Sequence, residues 1–457
     1  MKKRNLRFFV ALWTAKLSYR ALRILGRDAS HFPGVLALKF CPDFLARVGK
    51  PDTIVAVTGT NGKTTVTNMI YNLLSDSGEK VLCNHQGSNT YTGIASILLI
   101  GTALSGKSKY KTAVFEVDER SSKLIYPYVK PTYLVCTNLF RDSLTRNAHT
   151  EFIKEFLDTS IPADTKLILN ADDPISSNLA PGNERIFFGI DKQSFEQSEE
   201  PNLSCDLRIC PECSSLLQYD FRRYHHIGRV HCPNCDFSTP SVIQYRAESI
   251  DEDNMTMTVR EADGVINTYN FPNKNIINIY NYLAAVSFAR YFGVPHDTIM
   301  KSRISVVGSR YSEASIGGKE ILMTLSKAQN PIACSRAFSY AKKLQGTKSV
   351  VLLLDEIEGV EKSPENVCWM YDADFELLNS PDIIQVVAVG ARHLDDAVRL
   401  LVAGVPEEVI TTTDDYSSVA DLINTTADKI VVLYDLHCVK VARDLKTTLT
   451  EKFKEGQ

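Results

Sequence analysis

Apolar positions follow two alternating rhythms over the first 190 residues. Short runs rich in Val, Ile and Leu at 54–57, 80–83, 112–117, 133–137 and 166–170 predict strands. Between them apolar side chains recur three or four positions apart, as at Val66, Met69, Ile70 and Leu73 or across 151–158, which predicts helices. Strand and helix in turn imply a largely parallel sheet covered on both faces, because parallel neighbours need a crossover between them. From about 200 to 245 the rhythm gives way to short polar segments with clustered Cys and aromatic residues. β-like pieces at 256–259 and 265–269 and a helix at 278–292 follow, so 200–245 reads as an insertion. A second α/β rhythm starts near 311, with strands at 349–354, 384–389 and 429–434 and helices at 394–403 and 417–425. The predicted organisation is a helix in 1–34, an α/β domain over 35–310 interrupted by the 200–245 insertion, and a second α/β domain over 311–457.

The first 27 residues carry Lys2, Lys3, Arg4, Arg7, Lys16, Arg20, Arg23 and Arg27 with no acidic residue before Asp28, interleaved with Phe8, Phe9, Leu12, Trp13, Leu17 and Leu22. This predicts a basic amphipathic helix. Two uses stay open for it: docking on the next domain with its basic face in water, or contact with the inner face of the cell membrane. Its longest uncharged apolar stretch, 8–15, is too short to cross a bilayer. The 457 residues suffice for about three domains. With 44% hydrophobic and 23% charged residues they describe a folding, globular chain. A net charge of −3 gives no global argument for a nucleic-acid partner. Of the eleven Cys, Cys136, Cys334 and Cys438 stand alone on apolar runs, which points to buried thiols in a reducing cytosol.

Two motifs carry chemistry. Gly59-Thr60-Asn61-Gly62-Lys63-Thr64-Thr65 lies between a predicted strand and helix, where N–H groups at the helix start hold phosphate oxygens, Lys63 reaches the terminal phosphates and Thr64 ligates Mg²⁺. Only two residues separate its glycines, whereas the common P-loop has four. Cys210-Pro-Glu-Cys213 and Cys232-Pro-Asn-Cys235 are the paired Cys-x₂-Cys turns that present four thiolates to one structural Zn²⁺. Cys205, His225, His226 and His231 are then bystanders, while Arg222, Arg223, Tyr224 and Arg229 suit either a nucleic-acid reader or a solvated basic hairpin.

The string VTGTNGKTT resembles the ATP loop of the Mur ligase family, which includes the folylpolyglutamate synthases, and further motifs follow in that family's order. Glu116 matches its Mg²⁺-binding Glu, and Thr137-Asn138 with Arg141-Asp142 its Thr-Asn-(x)n-Asp-His segment, with Ser143 in place of the His. Asn170-Ala-Asp-Asp-Pro174 and Asn278-x-x-Asn281-x-x-Ala-Ala match two more motifs, the second a helix start beside the nucleotide. Arg310 and Glu313 resemble Gly-Arg-x-Glu, whose Arg meets the γ-phosphate, and Lys327 the phosphate-reaching Lys of Ser-Lys-Ala-x-Asn. Leu325 stands where a ribose-binding Asp is usual, and no lysine matches the carbamylated one of several relatives. The fold class so implied is α/β, a Mur ligase-like central domain with an inserted four-Cys zinc ribbon and a second α/β domain after it.

The ribbon, with VVLLLDEIEG and CWMYDADFELL after it, narrows the resemblance to the ATP-dependent subunits of bacterial lipid II isoglutaminyl synthases. That resemblance implies ATP, Mg²⁺ and structural Zn²⁺, lipid II as substrate, and a GatD-type glutamine amidotransferase subunit as source of ammonia. It also implies an Asp of the last domain that completes the partner's Cys-His pair. Asp355 at the strand end is the first candidate and Glu356 the competitor, while a turn-capping role for Asp355 stays open and Asp372 and Asp374 fit packing or surface hydrogen bonds. Two rival readings remain. One is a stand-alone Mur or folylpolyglutamate-type amino-acid ligase, the other a nucleotide-switched nucleic-acid binder.

Overall fold

The computed structural model describes residues 2–85, 88–142, 149–194, 196, 204–304, 311–316, 318–326, 329–355 and 367–455. They form two compact units. Met1–Phe140, Thr150–Glu200 and Leu207–Val307 make the first; Arg141–His149, Pro201–Asp206 and Gly308–Gln457 make the second.

The first unit is built on strands β1 (Thr53–Thr58), β2 (Val81–Cys83), β3 (Thr112–Glu116), β4 (Tyr133–Cys136), β5 (Lys166–Asn170), β6 (Arg185–Ile190), β9 (Tyr245–Asp251), β10 (Thr256–Arg260) and β11 (Ile266–Asn270). They lie in the order β11-β10-β9-β6-β5-β4-β1-β3-β2. The seven from β9 to β2 are parallel, and β10 and β11 extend them antiparallel. Between β6 and β9 the chain leaves the sheet to make the hairpin β7 (Gln218–Tyr224) and β8 (Ile227–His231). The strand order turns back around β1, whose neighbours are β3 and β4, so the loop after β1 opens at a topological switch point, where open α/β sheets bind ligands.

Successive side chains of a strand face opposite sides. Ile54, Ala56, Ala113, Phe115, Leu134 and Leu167 therefore join one core cluster, to which Phe8, Ala11, Leu12 and Ala15 of the N-terminal helix Leu6–Ile24 also belong. Lys16 turns inward and donates to the carbonyls of Leu99 (2.6 Å) and Thr102 (2.8 Å) at the end of helix Tyr91–Ile100. Burial, then Lys109 and Arg20, lower its pKa to about 8. The helix is thus docked on the sheet's covering layer, and Leu6, Val10, Trp13, Leu17 and Ile24 are exposed on its outer side together with Arg7, Arg20 and Arg23.

The second unit has strands β12 (Tyr311–Ile316), β13 (Lys319–Leu325), β14 (Lys348–Leu353), β15 (Ile383–Val389), β16 (Ile410–Thr413) and β17 (Lys429–Tyr434), ordered β12-β13-β17-β14-β15-β16. Only the β12–β13 pair is antiparallel. Val350, Leu352, Val386, Val431 and Leu433 feed one core cluster, and Val351, Leu353, Val387, Ile430 and Val432 the other. The helix expected over 417–425 shrinks to Val419–Leu422, because Ile423 is extended and the Asn424 N–H is taken by Gln385 Oε1 at 2.8 Å.

Candidate active site

The loop after β1 is shaped by two glycines in the left-handed region, Gly59 (φ +125°) and Gly62 (φ +89°). Each also sits where a side chain has no room. A Cβ on Gly59 would lie 2.3 Å from Thr137 Oγ1, and one on Gly62 2.2 Å from Asn281 Oδ1. Gly62 is the residue before helix Lys63–Asp76, and no side chain caps that helix start. Its first N–H groups lack partners within the helix, as at any helix start, and mark an anion site.

Asn138, buried at the end of β4, pins the loop from behind. Its Oδ1 accepts from the Asn61 N–H at 3.0 Å and its Nδ2 donates to the Asn61 carbonyl at 3.0 Å. Thr137 Oγ1 donates to the same carbonyl at 2.7 Å, and the Thr60 hydroxyl donates to the Phe140 carbonyl (3.1 Å) and accepts from its N–H (2.9 Å). Asn138 therefore shapes the loop through its backbone. The Asn61 Nδ2 group is buried without a hydrogen-bond partner, an orphan donor in a phosphate-loop geometry. This donor and the uncapped helix start fit a nucleotide polyphosphate.

Lys63 Nζ donates to the Gly59 carbonyl at 2.5 Å and to Glu119 Oε1 at 2.8 Å. Burial alone would lower the Lys63 pKa, but Glu119 beside it, then Glu116 and Asp118, hold it above the ordinary lysine value. Lys63 is a cation at neutral pH. Glu119 Oε1 also accepts from the Gly59 N–H at 3.1 Å. Glu119 escapes the motif reading; an acid three residues beyond Glu116, past the same strand end, is the available signal.

The Thr64 hydroxyl donates to Glu116 Oε2 at 2.7 Å, and Asn89 Nδ2 holds the other oxygen at 2.8 Å. Asn84 brackets the Glu116 backbone, accepting from its N–H (2.8 Å) and donating to its carbonyl (2.9 Å). Asn84 and Asn89 are further residues that motif reading misses, although polar residues after β2 at the carboxyl edge of a parallel sheet are a signal. A hydroxyl and a carboxylate in contact beside a phosphate loop are the hard oxygen ligands that suit Mg²⁺.

Asn281 lies against Gly62 from helix Ile276–Phe292, whereas Asn278 is half-exposed on its first turn. In the second unit Asp142 Oδ1 accepts from Asn330 Nδ2 at 3.2 Å. Arg310, Lys327 and Glu356 lie outside the described residues, as does the side chain of Glu313. Asp372 accepts from Arg141 Nη1 at 2.6 Å and Asp374 from the Ser204 N–H at 3.0 Å.

Asp355 is 1% exposed. Its Oδ2 accepts from the Ala391 N–H (2.8 Å) and the Tyr416 hydroxyl (2.6 Å), and its Oδ1 from the Arg392 N–H (3.0 Å). These bonds hold the turn after β15 rather than the one that follows Asp355 itself. Burial and then Asp355 raise the Tyr416 pKa, so the phenol remains a donor throughout the neutral range. Tyr416→Phe is expected to destabilise the chain by about 1–3 kcal/mol, the cost of leaving one acceptor short. Asp355→Asn should cost at least as much, because an amide nitrogen cannot accept from those donors. Urea unfolding of the chain alone checks both; unchanged stability of Asp355→Asn would mean that these bonds do not hold the turn.

The four sulfurs of Cys210, Cys213, Cys232 and Cys235 lie within 4.8 Å of one another, with Cys210–Cys235 at 3.5 Å and Cys213–Cys232 at 3.3 Å. Thiolates around one tetrahedral Zn²⁺ stand about 3.8 Å apart, from a Zn–S length near 2.3 Å, so the set fits that ion. None of the neighbouring histidines belongs to the cluster.

The far end of the hairpin is buried. Arg223 Nη1 and Arg229 Nε bond the two oxygens of Asp172 at 3.2 and 3.0 Å, and the Gly228 N–H donates to the Asp172 carbonyl at 2.7 Å. Arg223 also meets Glu196 and the Tyr280 hydroxyl, and the His226 ring lies 3.3 Å from Asp173 Oδ1. Asp173 in turn accepts from the Leu139 N–H at 2.8 Å, next to Asn138. Arg223 and Arg229 are thus internal ligands of an aspartate, contrary to the expectation of a solvated or nucleic-acid-reading hairpin.

The Mur ligase middle domain model matches residues 57–210 and the MurT ligase C-terminal model residues 327–436. The chain is 33% identical over 427 residues to the lipid II isoglutaminyl synthase (glutamine-hydrolyzing) subunit MurT of Streptococcus pneumoniae, covering 92% of each chain. It is 30% identical over 422 residues to the subunit of the same name from Staphylococcus aureus, covering 91% of this chain and 92% of that one. A pseudomurein peptide ligase type C from Methanothermus fervidus shares the fold with a TM-score of 0.65 at 20% identity, over 89% of this chain and 81% of that one. By likeness along nearly its whole length, with the Mur fold and the family's own C-terminal domain, this chain belongs to the MurT family of Mur ligase-like enzymes.

Proposed function

We propose that the protein is the ATP-dependent synthetase subunit that amidates the D-Glu α-carboxyl of the lipid II stem peptide to D-isoglutamine. The observation that carries this reading is the 33% identity over 92% of both chains to a relative that is itself named a subunit of lipid II isoglutaminyl synthase. A carboxylate is a poor electrophile. Its oxygen attacks the γ-phosphorus of ATP, ADP leaves, and the resulting acyl phosphate is opened by ammonia, with phosphate as leaving group and the surplus proton passing to it or to solvent. Lys63 and the N–H groups at the start of helix Lys63–Asp76 hold the polyphosphate, and the phosphate competes with Glu119 for the Lys63 ammonium. Thr64 and Glu116 are the residues that would hold Mg²⁺, which neutralises charge on the transferred group. Arg310 and Lys327 are assigned to the same phosphoryl group, and Asp142 and Asn278 to the nucleotide, on the family motifs alone. Zn²⁺ in the four-Cys site is structural, because four thiolates leave no open position.

Ammonia is mostly protonated in neutral water, so delivery by a glutaminase subunit of the GatD type fits the chemistry. The experiment is phosphate release from ATP with lipid II and glutamine, with and without that partner, alongside the stem-peptide mass. The expected result is conversion of a carboxylate to an amide that requires the partner or free ammonia. A stem that gains an amino acid instead would establish the stand-alone ligase.

A further inference from the structure

We infer that the outer face of helix Leu6–Ile24 is a docking surface for an anionic lipid bilayer. A helix that only packs on its own domain needs one apolar stripe. This one has two. Phe8, Ala11, Leu12 and Ala15 fill the inner stripe and are fully buried. Leu6, Val10, Trp13, Leu17 and Ile24, at spacings of four, three, four and seven, form a second stripe on the opposite face. They are 78%, 41%, 51%, 69% and 85% exposed. Nineteen helical residues make this stripe about 28 Å long. It is extended at one side by Leu104, whose carbonyl accepts the Trp13 indole N–H at 3.0 Å, and at the other by Phe40, whose carbonyl accepts from Arg7.

The charges decide the occupant. Lys3, Arg7, Arg20, Arg23 and Arg27 are exposed around the stripe, and no acidic residue precedes Asp28. Hydrocarbon lying beneath a sheet of negative charge is what an anionic bilayer surface presents, and a tryptophan at the boundary suits the interfacial layer. No described helix is long and apolar enough to cross a membrane, so the contact lies in the plane of the surface. The inference extends the proposed function by placing the enzyme at the bilayer that holds a lipid-linked substrate. It stands on the stripe and its charge, not on the amidation reading.

The test is sedimentation of the full chain with sonicated vesicles that contain no lipid II, either pure phosphatidylcholine or phosphatidylcholine with phosphatidylglycerol. Binding to the anionic vesicles is expected, falling with added salt, with a blue shift of Trp13 emission; the other tryptophan, Trp369, is buried. Leu17→Ser with Ile24→Ser should abolish binding, and Arg20→Glu with Arg23→Glu should weaken it roughly tenfold or more. Both pairs are exposed, so melting temperatures should stay at the wild-type value. Absence of binding to anionic vesicles, equal binding by the Leu17/Ile24 variant, or a stable dimer that the same variant dissolves would overturn the inference. Amidation activity is not read in this experiment, so its outcome and that of the proposed reaction are separate.

Discussion

Lys63→Met is expected to slow phosphate release from ATP by about 10²–10³-fold, the loss typical for one preorganised charged donor in a transfer site. Two left-handed glycines and the Asn138 bracket fix the path of residues 59–62, so Lys63 starts its helix with its ammonium directed back at the Gly59 carbonyl. Its raised pKa keeps that ammonium charged across the working range. The substitution also leaves Glu119 buried opposite an uncharged side chain, and breaking such a pair costs about 3–5 kcal/mol where no other donor compensates. Here the Gly59 N–H still bonds Glu119, which moderates the cost. Glu119→Gln added to Lys63→Met should therefore recover stability and none of the activity. Phosphate release and thermal unfolding, measured on both variants, separate the two effects. Near-wild-type turnover by Lys63→Met would remove the loop from the reaction.

Cys232→Ser with Cys235→Ser should empty the metal site and unlatch the hairpin from Asp172. Two thiolates cannot hold Zn²⁺ at a structural site, and metal-binding free energy in such ribbons is folding free energy. The tip then loses its fixed base. Arg223 and Asp172 are 4% and 0% exposed in their side chains and Arg229 leaves with the same hairpin, so unlatching strands a buried carboxylate with the Tyr280 hydroxyl and the Ile190 N–H as remaining partners. At about 3–5 kcal/mol for a broken buried pair, and about 2.1 cal/mol/K of unfolding entropy per residue, the melting transition should fall by roughly 5–8 °C for a unit of this size. Arg223→Met isolates the tip: it should give a smaller drop, because Arg229 still meets Asp172, with zinc content unchanged. Metal analysis together with calorimetry distinguishes them. A double Cys variant that melts with wild type would mean that the tip holds itself.

The strands are legible because their alternation is simple. Lys166–Asn170 and Lys429–Tyr434 fall on their expected bounds, since apolar runs buried on both faces admit few other readings. β6, β9, β12, β13 and β16 escape the pattern: they are short or carry Arg, Gly, Glu, Ser, Thr or Lys among their apolar positions, and β12 and β16 lie at sheet edges. In the candidate site the motif residues Gly59, Gly62, Lys63, Thr64 and Glu116 are brought together as local spacing and the switch-point rule imply. Glu119 and Asn84 are hidden because their work is done across strands, and single positions carry no periodic signal. The hairpin arginines mislead for a related reason. A basic cluster written on a loop shows its charge but not the buried aspartate, 51 residues upstream of Arg223, that the charge answers.

The hairpin also determines where this chain can be cut. β6 and β9 are neighbours in the sheet, yet the whole insertion lies between them in sequence. A fragment that ends at β6 keeps the phosphate loop but leaves the outer side of β6 as an open edge, with Asp172 deprived of both guanidinium groups. Extending it through β9 closes that edge, and only on reaching helix Ile276–Phe292 does Asn281 come to lie against Gly62. The smallest self-sufficient nucleotide-binding piece therefore runs past 292, well beyond the motifs at its amino end, and shorter pieces should associate through the bare strand.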